Sequence, residues 1–416
     1  MSETVAHPRT ITRRGATAVG LASALSALSG YLILVIAART LGPARNADFL
    51  VFWSILFGMF GIVSGLQQET TRSVRSAVLS PVPVPRPVRV LPVSLLVGLG
   101  AALILGSTSV FWSETTLGSH SWPLVLTLCL AISAYAGHSA MIGSLSGHRS
   151  WRTYSALVSF EAAVRLLLVA LVAFAGATTR GLDIASSAAA TVWVIFILVS
   201  RTGRRAAQAK GDSGSGQFLT STGHAMVATA SSAVLVVGFP VLLRLTSTDI
   251  EWTVAAPLLL AISLTRAPLL LPLNAYQGVA IAHFVSEQHR GIAMLRRPAV
   301  AILVVAAVGS AGAYLVGPYV MTAFFGSGYQ VDDRLLAGLT MAAASLALLT
   351  LTGSAVLATG HHKAYATGWF LSSVASVALL MTDLPLAPRA VLSLAVGPLL
   401  GIGIHLAKLR AGTNRV

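Results

Sequence analysis

Polar residues punctuate the chain so as to leave twelve apolar runs, each near the roughly 20 residues that a membrane-spanning helix requires. They lie at about 16–37, 47–66, 91–112, 122–144, 154–176, 184–200, 222–245, 252–276, 298–320, 334–358, 365–382 and 389–407. The sixth and eleventh are the shortest. The pattern predicts an all-α polytopic membrane protein with about 12 transmembrane helices. Arg13 and Arg14 precede the first run as they would in a signal peptide. That run is too long for a signal h-region, so a retained first helix is expected.

Composition agrees. Of 416 residues, 55% are hydrophobic and 10% charged, with a mean hydropathy of +0.79. Soluble domains carry about 25% charged residues. This excludes a water-soluble enzyme, a disordered chain and a secreted disulfide scaffold, and the single Cys129 cannot form an internal disulfide. The net charge of +15 resembles a nucleic-acid signal until its distribution is considered. With the N-terminus inside, 20 of the 28 basic residues fall in the tails and the loops on that side, among them Arg72, Arg75, Arg86, Arg89, Arg201, Arg204, Arg205, Arg296 and Arg297. Only Arg39, Arg45, Arg180, Arg334 and Arg389 fall on the other side, and Arg165, Arg244 and Arg266 lie within runs. The positive-inside rule then places both termini in the cytoplasm, and no nucleic-acid partner is expected. Trp112, Trp122 and Trp252 fall at outer boundaries, where interfacial aromatics belong. Three lysines among the basic residues, with abundant Ala and Gly, point to a GC-rich bacterial genome and hence to a bacterial plasma membrane.

The two halves of the pattern correspond. Arg39 and Arg244 each end the first run of a half, and the fourth and tenth runs leave through Gly147-His148-Arg149 and Gly360-His361-His362-Lys363. The expected organisation is an N-terminal six-helix bundle (1–200), a cytoplasmic linker (201–221) and a C-terminal six-helix bundle (222–416), as parallel repeats around a central cavity. The linker, basic and then Gly/Ser-rich, is expected to be flexible.

Charges within apolar runs are the candidate chemistry. An arginine near the middle of a membrane helix costs ~2.5–3.5 kcal/mol on insertion scales, so it faces a cavity or a partner. Arg266 sits well inside the eighth run, among Pro257, Pro268 and Pro272. Prolines free backbone carbonyls, which are tolerated beside a cavity or neighbouring helices. A guanidinium there suits a phosphate or carboxylate held in a bidentate fork, the alternative being an internal pair or a snorkelling side chain. Glu161 and Arg165 lie four apart on one helix face. They read either as a mutually neutralising pair or as a cavity-facing pair with Glu161 as an ion-coupling site. Arg39 and Arg244 read either as interface anchors or as substrate contacts. His138 and His405 read as hydrogen-bonded helix residues or as proton relays, and Gly397-x-x-x-Gly401 as a close-packing seam.

The chain has no Walker A sequence and no Ser-His-Asp or zinc spacing, and His361-His362 are adjacent in a loop rather than spaced as metal ligands. No catalytic residue, cofactor or metal is expected, and the chain reads as a non-enzyme. The second-to-third loop lacks the Gly-x-x-x-Asp-Arg-x-Gly-Arg-Arg type motif of major-facilitator transporters.

The stretch from Ala38-Arg39-x-Leu41-Gly42-Pro43, through two aromatic turns, to the polar exit at Gln68-Glu69 resembles the start of Wzx-type polysaccharide flippases. These belong to the multidrug/oligosaccharidyl-lipid/polysaccharide exporter superfamily. Thr265-Arg266-Ala267-Pro268-Leu269 also resembles the eighth helix of bacterial members, and the Gly-His exits fit a repeated turn of the family. The resemblance implies alternating-access flipping of a polyprenyl-diphosphate-linked oligosaccharide from the inner to the outer leaflet. Membrane lipid would hold its tail, and glycosyltransferases and a polysaccharide polymerase would act before and after it. By position it makes Arg39 and Arg266 candidates for holding the diphosphate. Arg165, Arg244 and Glu161 are candidates from their placement alone. The alternative is a small-molecule or drug antiporter of the same superfamily. An enzyme of lipid-sugar assembly and a membrane scaffold are the remaining classes.

Overall fold

The computed structural model describes residues 13–80, 84–119, 121–286 and 288–413. Each of the twelve apolar runs falls on a helix. In chain order these are α1 (Arg13–Leu41), α2 (Pro43–Leu79), α3 (Val90–Thr108), α4 (Trp122–Gly147), α5 (Trp151–Phe174), α6 (Thr179–Val199), α7 in two pieces (Ser215–Val236 and Phe239–Thr246), α8 (Ala255–Ser286), α9 (Arg296–Phe325), α10 (Asp333–Ala358), α11 (His362–Leu380) and α12 (Leu386–Thr413). Among the described residues nine helices are long and apolar enough to cross a membrane, and the bent α7 makes ten. The other two are α8, whose described apolar stretch is the shorter Ala255–Leu270, and the 19-residue α11. No strand forms among the described residues beyond one isolated bridge between Arg89 and Lys210.

Local sequence sets the breaks. Between α1 and α2 the chain turns on Gly42, whose φ of 73° lies in the left-handed region open to glycine, and Pro43 starts the next helix with φ already set. Helix α2 continues well past residue 66, because its polar last turns are not loop but packing surface, with Glu69, Thr70, Ser73 and Val74 all buried. Helix α7 bends by 61° at Val237–Gly238. Pro240 lacks an N–H and its ring would clash with the carbonyl of Val236, so the helix restarts there. Helix α8 behaves differently: it runs as one helix through Pro257, Pro268 and Pro272. The broken geometry expected around Arg266 therefore belongs to the neighbouring α7.

The halves share a packing plan. In each, the fourth helix packs against the second, third and sixth, and the fifth packs on the sixth. Small residues permit these approaches. Gly143 and Gly147 of α4 lie against Thr70 and Val74 of α2, and Gly397 and Gly401 of α12 lie against Ser376 and Ser372 of α11. The first helices differ. Helix α1 lies along α5 of its own half, with Ser29 Oγ donating to Ala162 O at 2.8 Å. Helix α7 instead leans across the halves onto α2. A Cβ on Gly65 would come within 2.5 Å of the Ala225 backbone, and Thr229 Oγ1 donates to Ile62 O at 2.8 Å.

The connector between the halves is ordered rather than free. It contains a short helix, Arg201–Ala207, and then pairs with the chain entering α3. Val88 N donates to Ser213 O at 2.8 Å, Gly211 N to Val88 O at 3.0 Å, and Val90 N to Ala209 O at 3.2 Å. Asp212 accepts from Arg72 Nη1 at 2.9 Å and from Ser73 Oγ at 2.7 Å, while Arg72 also binds Glu69 at 2.6 Å. Burial pushes the Asp212 carboxyl up, but hydrogen bonds from Arg72, Ser73 and Ser76 outweigh it and hold the group below the usual carboxylate range. The end of the molecule marked by this connector is the linker end.

Candidate functional site

A cavity of about 340 Å³ lies between the halves, bounded by α1, α2, the break in α7 and α8. Its walls are mainly apolar and aromatic, with Tyr31 of α1 and Trp53 and Phe57 of α2 facing Leu259, Ile262 and Arg266 of α8. The break in α7 leaves carbonyls without helical partners, and two cavity side chains take them up. Arg266 Nη1 donates to Leu235 O at 3.2 Å, and Ser54 Oγ donates to Val237 O at 2.5 Å. The Arg266 guanidinium also lies over the ring of Phe239, 5.2 Å from its centroid. Its Nη2 has no hydrogen-bond partner, although the residue is only 7% exposed. Among the described residues no carboxylate pairs with it. The cavity wall thus contains a buried cation with one unpartnered donor nitrogen.

A second, smaller cavity of about 140 Å³ lies inside the N-terminal half. It holds Glu161 and Arg165, each 5% exposed, as a direct ion pair. Arg165 Nε also donates to Ser186 O at 3.1 Å, and its guanidinium sits 4.8 Å from the ring centroid of Phe57 and 5.9 Å from that of Phe60. Here the cation is fully partnered. His138 lines the same chamber; its ring stacks on Tyr135 at 5.3 Å, which stacks on Phe60 at 3.8 Å. His138 Nδ1 has no hydrogen-bond partner. Phe57 lines both cavities and stands as the partition between them.

The other predicted residues lie elsewhere. Arg39 is exposed at the end opposite the linker, where its Nε donates to Phe324 O at 2.8 Å and its Nη2 to Ala323 O, capping the last turn of α9. Arg244 lies at the same end, paired with Asp249 at 3.0 Å and stacked over Trp252 at 5.2 Å. Neither lines the cavity, so of the predicted arginines only Arg266 does. Arg165 is one aromatic ring away.

That end is closed across the halves. Ile33, Phe49, Phe239, Trp252, Met321 and Phe325 share one buried cluster, Trp252 Nε1 donates to Asp48 Oδ1 at 3.1 Å, and Tyr329 OH donates to Ala38 O at 3.2 Å. Burial pushes the Tyr329 hydroxyl up to about 12. Towards the linker end α1 is open instead. Gly20, Leu21, Ser23, Ala24 and Leu25 are all exposed, which at 100° per residue covers more than half of the helix circumference.

Sequence reasoning missed one buried carboxylate. Asp183 is 1% exposed, with Oδ1 unpartnered. It falls just before the predicted start of the sixth run at 184, but α6 begins at Thr179, where Thr178 caps it by accepting from Gly181 N at 3.0 Å. That cap was the available signal.

No protein-family model matches the chain. Uncharacterized protein Rv3630 of Mycobacterium tuberculosis (strain ATCC 25618 / H37Rv) is 40% identical over 392 residues, covering 94% of this chain and 91% of its own length. Uncharacterized protein Rv1510 of the same strain is 37% identical over 406 residues, covering 98% of this chain and 94% of its own. Among solved structures, the inward-facing conformation of a multidrug resistance MATE family transporter of the MOP superfamily superposes with a TM-score of 0.70 at 14% identity, over 97% of this chain and 98% of that one. The outward-facing conformation of a multidrug resistance MATE family transporter of the MOP superfamily gives 0.67 at 13%, over 98% of this chain and 97% of that one. A MOP superfamily transporter from Pyrococcus furiosus, whose reverse polarity of binding pocket suggests a different function, gives 0.65 at 13%, over 97% of each chain. The likeness shows the fold, that of a polytopic, two-bundle membrane protein.

Proposed function

The chain belongs to the family of the mycobacterial proteins Rv3630 and Rv1510 and has the fold of MATE transporters, and from that premise we propose that it is an alternating-access transporter for a phosphorylated, lipid-linked oligosaccharide. Its substrate is a glycan on a polyprenyl diphosphate, carried from the inner to the outer leaflet of a bacterial plasma membrane. The 20-to-5 split of basic residues supports cytoplasmic termini.

One observation carries the reading: Arg266, buried between the halves, keeps an unpaired nitrogen and has no carboxylate partner among the described residues. A diphosphate cannot cross hydrocarbon bare, and a desolvated guanidinium in the cavity wall offsets that cost with charge-assisted hydrogen bonds. The aromatic faces of Tyr31, Trp53 and Phe57 suit a sugar ring beside it, and the exposed outer face of α1 suits a prenyl tail that stays in lipid. Glycosyltransferases supply this substrate and a polymerase consumes it.

The test is flipping of a fluorescent polyprenyl-diphosphate sugar in proteoliposomes, read by quenching from outside. A hydrogen bond to a charged group is worth ~1.5–3 kcal/mol, so Arg266→Ala slows flipping roughly 10–100-fold. Normal flipping by that variant overturns the reading. The aromatic lining and the cavity size, about 340 Å³, favour a drug-sized ligand as the second reading. Export of an organic cation by the wild type, with no diphosphate lipid moved, selects it.

A further inference from the structure

The short helix of the connector, Arg201–Ala207, is two-faced. Gly203 and Ala206 are buried. A Cβ on Gly203 would come within 2.2 Å of Phe196 O, and Ala206 joins a buried cluster with Met141, Leu145 and Trp193, so the helix is fixed on α4 and α6. Its other face carries Arg201, Arg204 and Arg205, which are spaced as neighbours on one side of a helix and are all exposed. The pairing of the connector with the chain entering α3 brings further cations alongside. Arg89 forms the antiparallel bridge with Lys210, Arg86 lies just before it, and all three side chains are exposed. Like charges on neighbouring positions repel, so folding alone gives no reason to gather them. Among the described residues none of the six has a carboxylate partner. Arg204 is used in part, its Nη1 donating to Leu198 O at 2.7 Å at the end of α6. The connector's own acid, Asp212, is bound to Arg72 and Ser73 instead.

We propose that this patch is a docking site for anionic phospholipid headgroups, which holds the connector on the membrane surface. Its level in the bilayer is what selects lipid. The patch follows directly on α6, whose last residues, Leu198 and Val199, are 70% and 74% exposed, and it adjoins the start of α3, where Leu96 is 65% exposed. Those side chains call for acyl chains around them, and cations immediately beyond them stand at the height of the phosphates. The headgroups supply the anions that the protein does not, and the tails of the same lipids cover the apolar helix ends. The acidic surface of a soluble protein matches the charges but leaves Leu198 and Val199 uncovered. Arg266 and the central cavity take no part, so the inference goes beyond the transported substrate and concerns the lipid around the transporter.

The test is calorimetric titration of the detergent-purified full chain with short-chain phosphatidylglycerol, and separately with phosphatidylcholine of the same chain length. Phosphatidylglycerol binds the more tightly, and its affinity falls as KCl is raised, a readout that needs no variant. Each basic residue near an anionic lipid surface is worth a factor of about five in affinity. A variant combining Arg86→Gln, Arg201→Gln, Arg205→Gln and Lys210→Gln leaves the Arg204 contact to α6 in place and lowers phosphatidylglycerol affinity by roughly tenfold or more. Arg296→Gln with Arg297→Gln removes an exposed pair at the same end but outside the patch, and leaves the affinity unchanged. Equal binding of the two lipids, binding that ignores salt, or equal loss in the two variants overturns the proposal. Tighter binding of a soluble poly-glutamate peptide than of phosphatidylglycerol also overturns it, and makes the patch a dock for an acidic protein. Flipping through Arg266 is measured separately and stands or falls without this result.

Discussion

In the N-terminal half the buried arginine, Arg165, has a carboxylate, a backbone carbonyl and two aromatic faces; in the C-terminal half Arg266 has one carbonyl, one aromatic face and a nitrogen bound to nothing. The buried histidines reverse the pattern. His405 of α12 is satisfied, with Thr352 at 3.0 Å, the Tyr365 carbonyl at 3.4 Å and the Tyr365 ring stacked on it, whereas His138 keeps a bare Nδ1. The difference begins in the first helix of each half. Helix α1 is continuous and keeps its carbonyls, whereas α7 breaks at Val237–Gly238 and frees them between the halves, where α8 supplies a donor. Parallel repeats thus provide one scaffold twice, and a single helix break separates a cation that is stored from a cation that is offered.

The sharpest way to break this comparison is to delete each arginine and measure thermal unfolding of the detergent-solubilised protein. Arg165→Ala strands the Glu161 carboxylate in a buried chamber, and breaking such a pair costs ~3–5 kcal/mol. Changing both partners to glutamine recovers most of the loss. Arg266→Ala strands no charge, so its cost to stability is far smaller, although it is the variant expected to slow flipping. Equal destabilisation by the two deletions abolishes the distinction between stored and offered cations.

A smaller effect sharpens the account of how α7 leans onto α2. Gly65→Ala places a methyl within 2.5 Å of the Ala225 backbone, which cannot yield as a side chain would, and overpacking of this kind costs about 1–3 kcal/mol. Gly58, on the same helix, has nothing within 4 Å of where a methyl would sit, and Gly58→Ala is neutral or gains the roughly 0.5–1 kcal/mol by which alanine exceeds glycine in a helix. The contrast is read as the difference between the two shifts in unfolding midpoint. If the two variants unfold alike, the cross-half contact is loose.

The helices were legible because lipid as solvent leaves little choice: each crossing must be apolar, and each polar interruption must sit near a boundary. What escaped was set by protein rather than lipid. Helix α2 outruns its apolar stretch because Glu69 and Ser73 find partners in Arg72 and the connector, and α6 starts early enough to bury Asp183. The sequence reading singled out Pro257, Pro268 and Pro272, yet α8 runs through all three and the break falls at Pro240 of α7, since a break survives where the freed carbonyls find donors, here Arg266 and Ser54. Arg266 stood out because a membrane charge is expensive. Arg39 stood out as well, but its role as a cap on α9 depends on a helix nearly 300 residues away in sequence, with |i−j| of 285 to Phe324. The partition at Phe57 left no sequence signal, because an aromatic that divides two cavities looks like any other apolar residue of the second run.

The smallest expected effect concerns the connector, where the halves are joined. Asp212 is held by Arg72 and Ser73, and Arg72 is half-exposed, so the contact behaves as a surface ion pair worth ~0.2–1 kcal/mol. The sign of its pH dependence follows from the direction of the carboxyl's shift. The folded value lies below the unfolded one, near 3.9, so the stabilisation is fully present above the unfolded value. It fades as pH falls through the folded value, where the carboxyl is protonated in both states. Asp212→Asn therefore lowers the unfolding midpoint slightly at pH 7, and the difference from wild type shrinks as pH drops below about 4. High salt weakens the same contact by screening. Because the backbone bonds from Val88 and Val90 to the connector remain in the variant, the halves stay joined and flipping is retained. A loss of flipping in Asp212→Asn, with the unfolding midpoint unchanged, would show instead that the connector takes part in the motion between the halves.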